Sequence, residues 1–538
     1  MSKTTTADAI LRLMETYGID TIFSIPGIHT IEFYRSLPQR AIRHVTPRHE
    51  QGGAFMAYGY AFASGKPACC MLITGPGVLN AATGIAEAKS DSIPMLVIAA
   101  NNLVAEIGVG RGALHETRSQ AAVQDQVAAF THSLLDPANI EEIFHRAMSV
   151  IDAGRPQPVL IEVPRDLLAA PAPLPSGRKP AVFRPNPDRG AVLQAAALLA
   201  GAQHPVSLAG GGARQAGPQI QKLLERTGAV LVTTNTGKGV VPEQQPQSIG
   251  SSLPFSSTHA LLGSADVVLA IGTEMSETDL LYTAKGYRLH GNLIRVDIDL
   301  LQLTRNYQPD LAILSDAARF AEAVLAELPE DSSKSTRGAS RAATLRADLT
   351  GEWSAEADRH KPVLDLLAEV LSDDAVICAD STQLGYTGNH YWPSRKPGGW
   401  LFPNGYGTLG SALPAAIGAR IACPDRDVLA IVGDGSFLYT IEELASAVEA
   451  EAGFPVIVWN NRAYGEIRDA MVQAQIPTVG VDLYTPDFLM IAKGFGCAAA
   501  RPETLADLAT EVRAALRRKV PTVIVIDNDG PMFRAAAQ

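Results

Sequence analysis

The stretch from Asp427 to Gly465 constrains the fold more than any other part of the chain. Val428 to Val432 is an unbroken apolar run closed by Gly433-Asp434-Gly435, the pattern of a buried parallel strand entering a loop. Ile441, Leu444, Ala445 and Val448 then recur at helical spacing, and Phe454 to Trp459 is a second apolar run closed by Asn460-Asn461. A strand–helix–strand unit of this kind belongs to an open α/β sheet, which binds ligands at the carboxyl ends of its strands. The donors there are hard and oxygen-rich. The Asp434 carboxylate and the Asn461 amide oxygen, with backbone carbonyls and phosphate oxygens, suit Mg²⁺, which takes few protein ligands. Gly433 and Gly435 let backbone N–H groups approach an anion closely. Gly-Asp-Gly alone is common in turns; Asn-Asn at the end of the next strand gives it weight.

The same alternation of strand and helix runs through all 538 residues, a length that suits about three domains. The expected class is α/β, with three doubly wound parallel-sheet domains over 1–172, 185–330 and 350–538. In the first, Thr6 is placed to cap a helix with Ala7, Ile10, Leu11 and Met14 on one face. Strands follow at Thr21–Ile25, Cys70–Ile73 and Met95–Ala99, and Glu50 stands at a strand-to-helix junction. Residues 169–187 are rich in Pro, Ala and Lys/Arg and read as an extended linker. The second domain carries apolar runs ending in Gly, Thr or Asp. Its Gly210-Gly211-Gly212 is a weak signal for a dinucleotide without GxGxxG. Residues 332–343 are polar and read as a link to the third domain. That domain opens with a strand at Ala375–Ala379 and ends with Pro521–Ile526 and a short tail carrying Met532 and Phe533.

Gly-Asp-Gly, some two dozen residues and Asn-Asn resemble the diphosphate-Mg²⁺ motif of thiamine diphosphate (ThDP) enzymes. RHEQGGAFMAYGYA, TGPGVLNAATGIAEAKSDSIPMLVI and GYGTLGSALPAAIGA extend the resemblance over nearly the whole chain. It points to the acetolactate synthase, benzoylformate decarboxylase and benzaldehyde lyase group of 2-oxo acid enzymes. The resemblance implies ThDP and Mg²⁺ as cofactors. Asp434, Asn461 and the carbonyl of Ala463 would ligate the metal. Ser381, Thr382, Gln383, Gly435, Ser436, Tyr464 and Gly465 would surround the diphosphate, although Thr382 stands where many relatives have glycine. Glu50 matches the glutamate that drives the aminopyrimidine to its imino form, a role suited to a partly desolvated carboxyl. Asn80 lies near that ring in the family. The backbone at Gly407 and Leu409 would hold the ring, and the Leu409 side chain would prop the cofactor in a bent shape.

Three further residues bear on the reaction. Benzaldehyde lyase-like enzymes carry a histidine in a loop similar to that of His29, and His115 stands where acetolactate synthases have glutamine. An imidazole near neutral pH can relay a proton to a reacting centre. Glu116 is a candidate to orient His115 or to form a salt bridge. Glu466 stands where acetolactate synthases favour an apolar residue; an acid there favours a cationic substrate tail, or simply the first turn of a helix. The loop Gly272–Glu277 lacks the arginine with which acetolactate synthases hold FAD and carries two acids, which argues against FAD. The pattern looks closest to the 5-guanidino-2-oxopentanoate (2-ketoarginine) decarboxylases. The alternative is an acetolactate synthase-like or benzaldehyde lyase-like carboligase that joins the activated carbonyl to a second one. A cofactor-binding regulator without catalysis is the third reading, which Glu50, Asp434 and Asn461 disfavour.

The net charge of −11 argues against a nucleic-acid or anionic-membrane binder. No apolar run reaches about 18 residues. Cys69, Cys70, Cys378, Cys423 and Cys497 show no metal or disulfide spacing, which fits a reducing compartment, and a cytoplasmic enzyme is expected. The expected partners are a small 2-oxo acid and further copies of the chain, as a homodimer or homotetramer with the cofactor between subunits.

Overall fold

Three parallel sheets organise the chain. The computed structural model describes residues 3–280, 286–330 and 332–534. The strands of the first sheet lie in the order Arg43–Val45, Thr21–Ser24, Ala68–Leu72, Met95–Asn101, Val159–Pro164 and Phe130–Ser133. Those of the second lie in the order Val230–Thr233, Val206–Ala209, Val267–Ile271, Asn292–Asp297 and Leu311–Leu314. In the third, Val376–Ala379, Val428–Gly433, Pro455–Asn460, Thr522–Asp527 and Ala498–Ala500 are neighbours in that order. The central strands are almost wholly apolar and buried, because helices cover both faces of a parallel sheet. The chain forms two compact units. One holds residues 1–183, 376–383 and 405–538, with the first sheet and most of the third; the other holds 184–375 and 384–404, with the second sheet. Among the described residues no helix is long and apolar enough to cross a membrane.

Inside the first unit, the helix Glu50–Ser64 is buried on nearly every side. It packs against the helix Ala412–Ala422, and two glycines let the backbones meet. A Cβ at Gly59 would lie 2.0 Å from the Ala415 carbonyl oxygen, and one at Gly418 would lie 1.9 Å from that of Met56. A helix apolar all round belongs in such a sandwiched position. The first helix, Thr6–Thr16, is capped by Thr5 rather than Thr6, since the Thr5 hydroxyl is the one that accepts from the Asp8 amide. The helix after the Gly-Asp-Gly strand, Glu443–Glu449, also differs from expectation. It buries Glu443, Leu444, Ser446 and Ala447 and leaves Ile441, Ala445 and Val448 half-buried.

In the second unit, the polar segment expected to be a link is a helix, Ser332–Thr350. Ala342 and Leu349 are buried and Leu345 packs beside them, a spacing of three, four and seven residues that gives the helix one apolar edge. Lys334, Arg341 and Arg346 tie it down by donating to the carbonyls of Ala200, Pro205 and Ser248. The three glycines at 210–212 serve close packing. A Cβ at Gly210 would lie 2.3 Å from the Gly272 carbonyl oxygen, and one at Gly212 would lie 3.0 Å from the Gly272 Cα. Buried Arg295 shapes the loop after Gly272 by donating to the carbonyls of Thr273, Glu274 and Arg305. Glu274, one of the two acids of that loop, pairs with Arg305 at 3.4 Å.

Candidate active site

Strand register assembles the Gly-Asp-Gly side of the site. Val432 pairs with Val458 and Gly433 with Trp459, so the two strands end side by side. Asp434 follows the first strand end and Asn461 the second. The Asp434 side chain is 2% exposed. Burial raises its pKa, while hydrogen bonds from Asn461, Gly435 and Thr485 pull the other way. Among the described residues no lysine or arginine pairs with it, so the buried carboxylate faces neutral donors only. The Asn461 amide nitrogen donates to the Gln383 side-chain oxygen at 2.9 Å, and its oxygen accepts from the Ala463 amide at 3.1 Å. Glycine at 465 leaves room for the Asn461 amide, since a Cβ there would lie 2.5 Å from its nitrogen and displace it. Tyr464 packs over Gly435, where a Cβ would lie 2.7 Å from the Tyr464 ring. The Ser436 hydroxyl and the Gly433 amide bond at 3.0 Å. Ser381 is half-buried, Thr382 is buried, and the Thr382 hydroxyl would lie 3.1 Å from a Cβ at Gly433.

One buried carboxylate, an amide oxygen and a main-chain carbonyl fit Mg²⁺ that shares phosphate oxygens. Among the described residues no group of three or more His, Cys, Asp or Glu could hold a metal by itself. Water or phosphate oxygens would complete this donor set. Tyr439 was not legible as part of the site. It hydrogen-bonds Tyr464, which raises the Tyr464 pKa, and its Cβ would lie 2.5 Å from one at Gly410.

The first sheet gathers the acid-base groups. Glu50 opens the helix Glu50–Ser64, whose cap is the His49 side chain accepting from the Gln51 amide. The Asn80 amide nitrogen donates to Glu50 Oε2 at 2.9 Å, which brings together two residues from successive helices. His29 and His115 come from loops that follow the strands Thr21–Ser24 and Met95–Asn101, which flank Ala68–Leu72 in the sheet. Their rings meet edge to face, 5.4 Å between centroids at 80°. His29 is buried, its Nδ1 shares a 2.8 Å hydrogen bond with the Thr74 hydroxyl, and its Nε2 has no partner among the described residues. Burial lowers its pKa, as do the charges of Arg165 and His115. His115 has φ +62, and its carbonyl oxygen would lie 2.3 Å from a Cβ at Gly75. Gly75 thus admits the His115 loop. Glu116 does not orient His115. It accepts from the amides of Gly110, Gly112 and Ala113, and those bonds lower its pKa.

Buried acids that local spacing does not reveal hold these pieces together. Asp380 accepts from the amides of Gly410, Ser411 and Ala412 and from the Ser411 hydroxyl, and burial pushes its pKa up to about 6. Glu443 accepts from the amides of Arg48 and His49 at 3.0–3.1 Å, just ahead of Glu50, and burial lifts its pKa to about 7. Gly407 has φ +69 and open space around any Cβ, so its backbone is free for a flat ring to approach. Leu409 is half-buried two residues on. Glu466 lies in the first turn of the helix Gly465–Gln473. The residue is exposed overall, but partial desolvation of its carboxyl and the charge of Asp469 raise its pKa. Among the described residues no cation pairs with it.

Comparison with known proteins matches the chain to three family models in order. They are the N-terminal thiamine pyrophosphate (ThDP) binding domain over residues 4–127, the central domain over 192–324 and the C-terminal ThDP binding domain over 380–526. The chain belongs to the thiamine pyrophosphate enzymes. It is 45% identical to a probable 2-ketoarginine decarboxylase of Pseudomonas aeruginosa, over 97% of this chain and 94% of that protein. It is 30% identical to the large subunit of acetolactate synthase isozyme 1 of Escherichia coli, over 98% of this chain and 94% of that one. A probable acetolactate synthase 2 of Oryza sativa is 29% identical over 95% of this chain. The family supplies ThDP as the cofactor and an α/β fold of three domains, and the relatives place the chain among decarboxylases and acetolactate synthases.

Proposed function

We propose that this enzyme is an Mg²⁺-dependent, non-oxidative decarboxylase of a 2-oxo acid with a cationic side chain, such as 2-ketoarginine, releasing an aldehyde and CO₂. The edge-to-face His29–His115 pair carries the reading. It supplies an imidazole with a buried nitrogen that has no partner among the described residues, and this nitrogen can relay to the reacting carbon the proton that decarboxylation to an aldehyde requires. The 45% identity to a protein named as a probable 2-ketoarginine decarboxylase supports the substrate. So does Glu466, an acid with no cation of its own in the helix that follows the Asn-Asn motif. ThDP, when bound, supplies the nucleophile and the electron sink for loss of CO₂.

The residues of the chain do the rest. Asp434, Asn461 and the Ala463 carbonyl would hold the metal, and Ser381, Thr382, Gln383, Gly435, Ser436, Tyr464 and Gly465 would surround the diphosphate. Glu50, oriented by Asn80, holds a proton against the ring nitrogen of the pyrimidine. The backbone at Gly407 and Leu409 would hold the pyrimidine ring, with the Leu409 side chain as its prop. His29 and His115 move protons at the reacting carbon, and Glu466 pairs with the substrate's cation. No role for FAD is proposed.

The cofactor lies between two copies of the chain, as a homodimer or a dimer of dimers. Exposed apolar side chains near both halves support this: Ile28, Ile31 and Leu114 by the histidines, and Tyr439, Ile467 and Tyr484 by the diphosphate loops. A cytoplasmic location suits five free cysteines, four of them buried. Nucleic acid and membrane are not partners in this reading, given the net charge of −11.

A carboligase is the second reading, favoured by the 30% identity to acetolactate synthase along the whole chain. A panel of pyruvate, 2-oxobutyrate, benzoylformate and 2-ketoarginine, with products identified, separates the two. Aldehyde from 2-ketoarginine alone supports the decarboxylase. Acetolactate from pyruvate, with no aldehyde from 2-ketoarginine, overturns it.

A further inference from the structure

The helix Pro76–Ser90 reaches from the first sheet to the loop that carries Gly407 and Leu409. Glu87, in its last turn, is fully buried. Its Oε2 accepts from the Thr408 amide at 3.1 Å and from the Thr408 hydroxyl at 2.7 Å, and its Oε1 accepts from the Tyr406 amide at 3.4 Å. Four residues on, Asp91 Oδ1 accepts from the Gly405 amide at 3.0 Å, and Oδ2 accepts from the Tyr58 hydroxyl at 2.6 Å. Residues i and i+4 of a helix share one face, so two acids grip three amides of one short loop.

This grip is costly. A buried carboxyl and a half-buried one beside it repel each other, and burial with the charge of Asp91 pushes the Glu87 pKa up to about 8. A neutral side chain could anchor a loop without that cost. The loop itself is unusual: Gly407 at φ +69 and Gly410 at φ +82 flank Leu409. On the far side, Asp380 holds Gly410, Ser411 and Ala412. Leu409 is therefore suspended between two carboxyl clamps, one from the first sheet's helix and one from the third sheet.

We infer that Glu87, assisted by Asp91, is a positioning residue of the reaction: it sets the backbone of Gly407–Leu409 and thereby the angle at which the cofactor's pyrimidine meets its thiazolium. The inference rests on reading Leu409 as the prop for the bound cofactor. A misplacement of about 1 Å at such a point costs about a hundredfold in rate.

Hydrogen–deuterium exchange at the thiazolium C2 of bound ThDP, followed by acid quench and NMR without substrate, tests this. The rate depends on the pyrimidine amino group reaching C2, and saturating cofactor removes differences in occupancy. Glu87→Gln keeps the side-chain size but sets an amide nitrogen against a backbone donor. Thr408→Val deletes the shortest bond and spares the acid, so it serves if the first variant folds poorly. Leu409→Ala tests the underlying reading.

All three variants should slow exchange by about tenfold or more, with ThDP still bound at saturation. Slow exchange in Leu409→Ala, with wild-type rates in Glu87→Gln and Thr408→Val, overturns the role of Glu87 and leaves that of Leu409 standing. A wild-type rate in Leu409→Ala overturns both. Exchange lost only in proportion to lost cofactor reduces Glu87 to a structural anchor and also refutes the inference.

Discussion

Replacing Gly59 by alanine should loosen the first unit at its tightest point. A Cβ at that position would lie 2.0 Å from the Ala415 oxygen and 2.5 Å from both its carbonyl carbon and its Cα. Side-chain carbons in proteins stay at about 3.0 Å or beyond from such atoms, so the two helices must part by about 1 Å. The obstacle is main chain, which cannot rotate away as a side chain would. Overpacking of this kind costs about 1–3 kcal/mol, and the upper half of that range applies here. Alanine in a helix interior returns about 1 kcal/mol relative to glycine. The net loss is about 1–2 kcal/mol. Unfolding midpoints in urea measure it, compared as midpoints because a chain of several domains does not unfold in one step. Gly494→Ala is the control: Gly494 closes the helix Phe488–Gly494 with nothing within 4 Å of a Cβ, so stability there should hold or rise. The helix of Gly59 also begins at Glu50, so turnover should fall with stability. Gly59→Ala as stable as wild type would refute the packing argument.

Glu50→Gln should lower turnover about 10²–10⁴-fold while ThDP and Mg²⁺ still bind by calorimetry; loss of binding together with turnover would make Glu50 a structural residue. Glu443 gives a pH signature. Burial lifts its pKa from 4.5 to about 7, so the folded state holds the proton more tightly than the unfolded one. Its contribution to stability then declines as pH rises from about 4.5 to about 7, and Glu443→Gln should flatten that slope in urea midpoints; an unchanged slope contradicts the assignment. Glu466→Ala should raise KM for 2-ketoarginine about tenfold, the effect of about 1.4 kcal/mol, and leave any activity on pyruvate untouched. An equal change for both substrates would return Glu466 to an ordinary first-turn residue.

Much of this arrangement is legible in the sequence because strands of one parallel sheet end together. Gly-Asp-Gly and Asn-Asn close neighbouring strands, and register alone brings Asp434 near Asn461. His29 and His115 follow the strands on either side of Ala68–Leu72, so the same end of the sheet gathers them. What periodicity misses is contact between distant elements. Glu443 closes on Arg48 and His49 across 394–395 residues, and Glu87 on Thr408 across 321. Each looks like a surface acid in its own helix, and only tertiary packing buries it. The helix Ser332–Thr350 was hidden for a related reason. Its apolar edge is three residues wide, and arginines and a lysine bonded to distant carbonyls provide much of its attachment. Gly59 and Gly418 stand in helical segments where glycine is unfavourable, and that departure was the local sign of a close crossing.

The stoichiometry of CO₂ and aldehyde from 2-ketoarginine, measured on the purified protein with ThDP and Mg²⁺, tests the central claim most directly. A decarboxylase releases one 4-guanidinobutanal for each CO₂, and both stop on removal of Mg²⁺ by chelation. No CO₂ from 2-ketoarginine, or CO₂ with no free aldehyde because the product is joined to a second carbonyl, would contradict the account.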